Sequence, residues 1–184
     1  MNCYGAKDLA ASFRTVRKNT IVIAEEIGEE HYGFRPAPGS RSVAETLIHI
    51  ALVPQAARHI HGTAHISDLA QMNFMDFWGP RMAAEKAPHT KEQILEMLRT
   101  EGETFAGWLD TVNDELLAET VAMPPGMDPS HKTRFEMLLG PKEHEMHHRG
   151  QLMVIERILG MTPHLTRQTE ARFAAMQNSK ASAS

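Results

Sequence analysis

Glu143-His144-Glu145-Met146-His147-His148-Arg149-Gly150-Gln151 places three histidines within five residues of a segment that otherwise reads as one long amphipathic helix. Its apolar stripe, Met137, Leu152, Ile155 and Leu159, shares a face with His144 and His148 at helical spacing. Residues four apart on a helix differ by roughly 40° of rotation and one turn of rise. His144 and His148 can therefore aim at one point, whereas His147 diverges from them. A buried imidazole left unsatisfied costs on the order of 1–3 kcal/mol. The pair therefore needs partners, either a metal ion or carboxylates and water, and the spacing leaves both readings open. Two neutral imidazoles so placed suit zinc, nickel, iron or copper better than magnesium or calcium.

Working outward, Arg134 to Leu159 reads as one long helix with Gly160 as its stop and Pro163 beyond; Gly140-Pro141 predicts a kink or restart inside it. A first helix spans about Ala6 to Glu30 on the spacing of Leu9, Phe13, Val16, Ile23 and Ile27. Ser42 followed by Glu45 is a capping-box signature for a second helix, which runs toward His59, should kink at Pro54 and closes at Gly62. A less regular helix covers about Ser67 to Glu85, with a bend expected at Gly79-Pro80. Thr90 and Gln93 cap a further helix carrying Ile94, Leu98, Phe105 and Leu109, and a short helical turn is expected near Glu115. Pro124, Pro125, Gly126 and Pro129 mark the longest irregular loop. No strand alternation and no repeat appear. The fold class is all-α: a four-helix bundle with an additional short helix and irregular loops. One domain over residues 1–173 is expected, with a disordered tail at 174–184.

A chain of 184 residues with 42% hydrophobic and 23% charged content can bury a core without staples. The formal charge of −4 gives no footprint for nucleic acid. The single cysteine, Cys3, excludes a disulfide framework and a thiolate zinc site. Neither a signal-peptide pattern nor an apolar run of membrane-spanning length is present, so a cytoplasmic protein without membrane partners is the expectation.

His49 stands alone in the apolar run Leu47-Ile48-His49-Ile50-Ala51-Leu52-Val53, where an unpaired polar group is expensive. In a bundle, a histidine on one helix can meet an i,i+4 pair on a facing helix. Three imidazoles with an open fourth position form a catalytic-type metal site rather than a closed structural one. Taken with the segment Glu143 to Gln151, the run from Ser42 to Ala51 resembles the DinB-like (YfiT-type) superfamily, over a length reaching from the first helix to about Arg167. That resemblance implies a four-helix bundle holding a divalent metal through His49, His144 and His148. It also implies a homodimer and, in members with assigned activities, thiol S-transferases or isomerases that use a low-molecular-weight thiol beside a small-molecule substrate. Zinc or nickel is the expected cofactor, with iron or manganese as alternatives. A non-catalytic metal-binding or structural module is the competing class.

His144-Glu145-Met146-His147-His148 also matches H-E-x-x-H, which would make Glu145 the general base of a zinc hydrolase. The longer metzincin form is excluded by Gln151 and Val154, and a third carboxylate ligand could only be Glu156 or Glu170. Around the three histidines, Glu45, Glu145, His147 and Gln151 are candidates to touch and orient the ligands. Glu45 serves equally as the capping-box acid. Arg149 is expected in an ion pair, Gly150 is read as permitting close helix packing, and His59, His61 and His65 are read as surface or entrance residues.

Overall fold

The computed structural model describes residues 4–181, so Cys3 and residues 182–184 lie outside it. The chain forms α1 (Ala6–Glu26), α2 (Val43–Arg58), α3 (Phe74–Lys86), α4 (Lys91–Leu109), α5 (Asp114–Ala118), β1 (Thr120–Ala122), β2 (His131–Thr133), α6 (Arg134–Ile158) and α7 (His164–Ala181). Helix α1 packs on α4 and α6, and α2 packs on the same two, so α1 and α2 occupy diagonal corners of a four-helix bundle. Helix α3 lies against α2 outside the bundle. Among the described residues, no helix is long and apolar enough to cross a membrane.

Side-chain caps start three of the four bundle helices, two of them, at Ser42 and Thr90, as the sequence signalled. Ser42 with Glu45, Thr90 with Gln93 and Thr133 with Glu136 each satisfy two orphan N-terminal amides reciprocally. Helix α1 ends four residues earlier than expected, at Glu26, because Ile27 turns extended before a 3₁₀ turn at Glu29–His31. Pro80 and Pro141 sit inside α3 and α6 without ending them. Arg134–Ile158 is one continuous helix rather than a restarted pair.

The core has two apolar parts. One gathers Ile23, Ile27, Leu47, Ile48, Ile94, Leu98 and Leu152; the other gathers Leu9, Phe13, Phe105, Leu109 and Leu138. Between these sequence positions lies a buried ion pair, Arg17 with Glu145, both almost fully buried, at 3.0 Å. The rest of the Arg17 guanidinium donates to Leu98 O at 2.6 Å and Ile50 O at 3.1 Å. Pro54 explains the second of these: it has no N–H to offer the carbonyl four residues back, which leaves Ile50 O free for Arg17. Gly102 explains the approach, since a Cβ there would lie 2.9 Å from Arg17 Cγ.

Three departures from the sequence reading have local causes. Helix α2 passes into a π-helical turn, His59–Thr63, instead of a loop, which buries His61 against Arg134 (Nδ1 to Nη1, 3.1 Å). His61 is therefore no surface residue; His59 stacks on Phe77, and His65, at φ 47°, pairs with Glu119 at 2.8 Å. Strands β1 and β2 form a small antiparallel hairpin just before α6, each only three residues long and thus too short to show alternation. The segment expected to be disordered from residue 174 is helical to Ala181: α7 is anchored by Arg167 on Glu26 and His164 on Asn19, and its alanine, glutamine and methionine residues propagate the helix.

Candidate metal centre

Helix α2 carries His49 and α6 carries His144 and His148, and the bundle packing of those helices brings one ligand-type atom of each within 4.8 Å of the other two. The approach is through Nε2: His49 Nε2 lies 3.0 Å from His144 Nε2, which lies 3.2 Å from His148 Nε2. The outer nitrogens are held. His49 Nδ1 donates to Glu85 Oε2 at 3.1 Å, and His148 Nδ1 donates to Gln151 Oε1 at 2.7 Å. A ring that carries its proton on Nδ1 presents a bare lone pair at Nε2. Two such lone pairs face His144 Nε2, which can offer at most one proton to the two of them. A cation satisfies all three, so the donor set fits a metal ion. His144 Nδ1 is buried with no partner among the described residues.

Electrostatics keep the rings in the ligating form. Burial lowers the pKa of His49 and of His144 to about 4, with Arg41 and the neighbouring histidines adding to it. Burial also lowers that of His148, against the opposing effect of the hydrogen bond it donates to Gln151. Neutral imidazole is the form that binds metal.

Glu85, near the end of α3, was not among the residues singled out in the sequence. It holds His49 through one oxygen while the other accepts from Arg41 Nε at 2.5 Å. Nothing local marks it, because it reaches His49 from a helix outside the bundle. Gln151 does touch a histidine of the cluster, and its amide also bridges to His147 Nε2 at 3.1 Å, so His147 stands one residue removed from the cluster. Glu45 does not orient His49: it caps Ser42 and pairs with Arg35 through two 2.6 Å contacts. Glu145 faces away, consumed by Arg17, so the general base required by the H-E-x-x-H reading is missing from the site. Glu156 is fully buried and electrostatically coupled to Glu26 of α1, and Glu170 is exposed on α7; neither joins the histidines. Arg149 makes no ion pair among the described residues, and a Cβ on Gly150 would meet nothing within 4 Å, so this glycine serves no close packing.

Two cavities flank the cluster. A wide one of 870 Å³ is bordered by His148, Gln151, Arg35 and Lys86, and a narrower one of 340 Å³ by His49, His144 and apolar residues of α2 and α3. Arg41, Met82 and Glu85 border both. The histidines thus face open space, as a site that admits a small molecule must.

The chain is 25% identical over 157 residues to the uncharacterized protein YjoA of Bacillus subtilis (strain 168), covering 85% of this chain and 92% of that protein. It superposes on the DinB-like YjoA structure with a TM-score of 0.61 at 23% identity, covering 84% of this chain and 93% of that one. YfiT of Bacillus subtilis, described as a probable metal-dependent hydrolase with an unusual four-helix bundle topology, gives a TM-score of 0.66 at 14% identity, covering 85% and 89%. A DinB-like protein from Bacillus cereus ATCC 10987 gives 0.63 at 17%, covering 85% and 93%. These structures share the fold. Residues 2–180 match the DinB family over nearly the whole chain, and with the bundle and its histidine cluster in place the chain belongs to that family.

Proposed function

We propose that this protein is an enzyme that uses one divalent transition metal, zinc or nickel ahead of iron or manganese, held by His49, His144 and His148. The observation that carries the reading is the convergence of three Nε2 atoms beside two cavities. When bound, the ion would act as a Lewis acid that lowers the pKa of a thiol or water reaching it. The chain's own residues do the rest. Glu85 and Gln151 fix the rings, and Arg41 fixes Glu85. Leu52, Val53 and Trp78 make one approach to the histidines apolar and exclude bulk water from it.

Of the reactions open to such a site, transfer or isomerisation with a low-molecular-weight thiol is preferred. It requires no protein general base, and the one the H-E-x-x-H pattern offered is locked to Arg17. Metal-dependent hydrolysis is the second reading, favoured by the description of YfiT. The test is consumption of a low-molecular-weight thiol with an electrophilic acceptor, run beside an ester and amide hydrolysis screen, on zinc-loaded, nickel-loaded and metal-free protein. Metal-dependent thiol consumption abolished by His49→Ala supports the first reading, and metal-dependent hydrolysis alone supports the second. Equal rates with and without metal in both assays contradict the enzyme reading and leave the non-catalytic module.

A homodimer working in the cytoplasm completes the proposal. Val154 and Ile158 on α6 and Phe173 and Met176 on α7 leave apolar side chains exposed. Sedimentation equilibrium giving twice the 20.6 kDa chain mass supports the dimer, and a monomer at micromolar concentration contradicts it.

A further inference from the structure

The 340 Å³ cavity between α2 and α3 has a wall chemistry of its own. Leu52, Val53, Phe74, Trp78 and Met82 give it a hydrocarbon and aromatic lining, and His49 and His144 form one side of it. Three charged groups border this apolar space: Arg41, Arg81 and Glu85. Glu85 is fully occupied, with one oxygen on Arg41 and the other on His49, so the charge of Arg41 is answered.

Arg81 has no such answer. Its Nη1 donates to Phe77 O of its own helix at 2.6 Å, and its guanidinium lies 3.5 Å from the centre of the Phe77 ring. Its Nε is buried without a partner, and no carboxylate forms an ion pair with it among the described residues. Glu101 acts on it only at range, while burial pulls its pKa down. A guanidinium in an apolar wall normally recovers its desolvation cost through a bidentate carboxylate. Stacking on Phe77 fixes the plane of the group and offsets part of that cost. The wider cavity is different: Arg35 there is already held by both oxygens of Glu45.

We infer that the slot between α2 and α3 is a binding subsite for a small apolar carboxylate. The hydrocarbon body of this organic acid packs against Trp78, Phe74 and Leu52, and its carboxylate pairs with Arg81. The cavity is at the small end of the range for ligand sites, about 300–1,000 Å³, which favours a compact aryl or alkyl acid over an extended one. The inference gives the metal-enzyme reading a substrate class and rests on that reading for the reaction, but recognition by Arg81 does not require the ion.

The probes are 4-phenylbutyrate and its neutral isostere 4-phenylbutanamide. Binding is followed by amide chemical-shift perturbation and by the emission of Trp78, with Trp108 the only other tryptophan in the chain. Titrations are run on metal-free and zinc-loaded wild type and on Arg81→Gln, Arg81→Lys and Trp78→Ala, each checked for its fold by circular dichroism. The acid is expected to bind about tenfold or more tightly than the amide, the scale of one charge-assisted contact. Arg81→Gln should bring the two probes to near equality, Arg81→Lys should keep part of the preference, and Trp78→Ala should weaken both. Equal affinities in wild type, no binding of the acid at several millimolar, or an acid preference that survives Arg81→Gln overturns the inference. Acid preference in a protein that takes up no zinc would defeat the metal reading while leaving the subsite. Zinc uptake without acid preference would do the reverse.

Discussion

Removing Glu85 tests whether the histidine cluster is oriented for metal rather than merely packed. Glu85 Oε2 accepts from His49 Nδ1 at 3.1 Å, and Arg41 holds the other oxygen at 2.5 Å. This fixes the tautomer that presents the His49 Nε2 lone pair to its neighbours. Loss of such a contact to a ligating histidine typically costs 10- to 100-fold in metal affinity, or about 1.4–2.8 kcal/mol. Glu85→Gln keeps an acceptor oxygen but loses the charge and the Arg41 pair, so it should fall near the lower figure. Glu85→Ala leaves Nδ1 without its acceptor and should approach the upper one. The assay is competition for zinc against a chromogenic chelator at pH 7.5, with helicity and melting temperature as controls. The ordering wild type, Gln, Ala is expected. Zinc affinities for both variants within twofold of wild type would refute the argument, because the tautomer would then be set without Glu85.

Glu145→Gln should leave zinc affinity within about threefold of wild type, yet destabilise the fold by about 3–5 kcal/mol by stranding the buried Arg17 charge; chemical denaturation and the chelator competition read the two effects separately, and lost affinity with unchanged stability would contradict the assignment. Gly102→Ala gains about 1 kcal/mol of helix propensity but drives a Cβ to 2.9 Å from Arg17, whose guanidinium is pinned at three places, so denaturant midpoints should fall; a rise would show that Arg17 can move. Glu156 is pushed up to about 7 by burial, with Glu26 reinforcing the shift. Because its folded-state pKa is raised, its favourable contribution is complete below the unfolded value near 4.5 and is lost as pH rises through about 7. Glu156→Gln should therefore melt above wild type at pH 8, and the difference should shrink steadily toward pH 4.5; a pH-independent difference contradicts the burial argument.

The bundle was legible because its evidence is local. Leu9 and Phe13 in α1, Ile94 and Leu98 in α4, and Leu152 and Ile155 in α6 keep helical spacing, and the caps at Ser42 and Thr90 are written in four residues each. The proximity of His49 to His144 and His148 was approachable for the same reason: each sits on an inward stripe. Glu85 was not, because the apolar residues of α3 (Phe74, Met75, Phe77, Trp78 and Met82) spread too widely round the helix to fix its rotation from sequence, and 36 residues separate Glu85 from His49. The fate of Glu145 turned on Arg17, 128 residues away, and on a carbonyl freed by Pro54, neither of which a helical motif encodes. His61 was misread because Gly62 ordinarily ends a helix, whereas the π-helical turn carries the backbone through it and puts Gly62 against Trp108. In α7, polar composition resembled a solvated tail, although its residue types favour a helix once its first turn is anchored.

The central claim is that His49, His144 and His148 together hold one metal ion. Elemental analysis of tag-free wild type and of His144→Ala, each reconstituted with zinc and freed of excess, tests it most directly. About one equivalent of zinc is expected in wild type and almost none in a folded His144→Ala. No zinc in wild type, or a full equivalent retained by the variant, would contradict it.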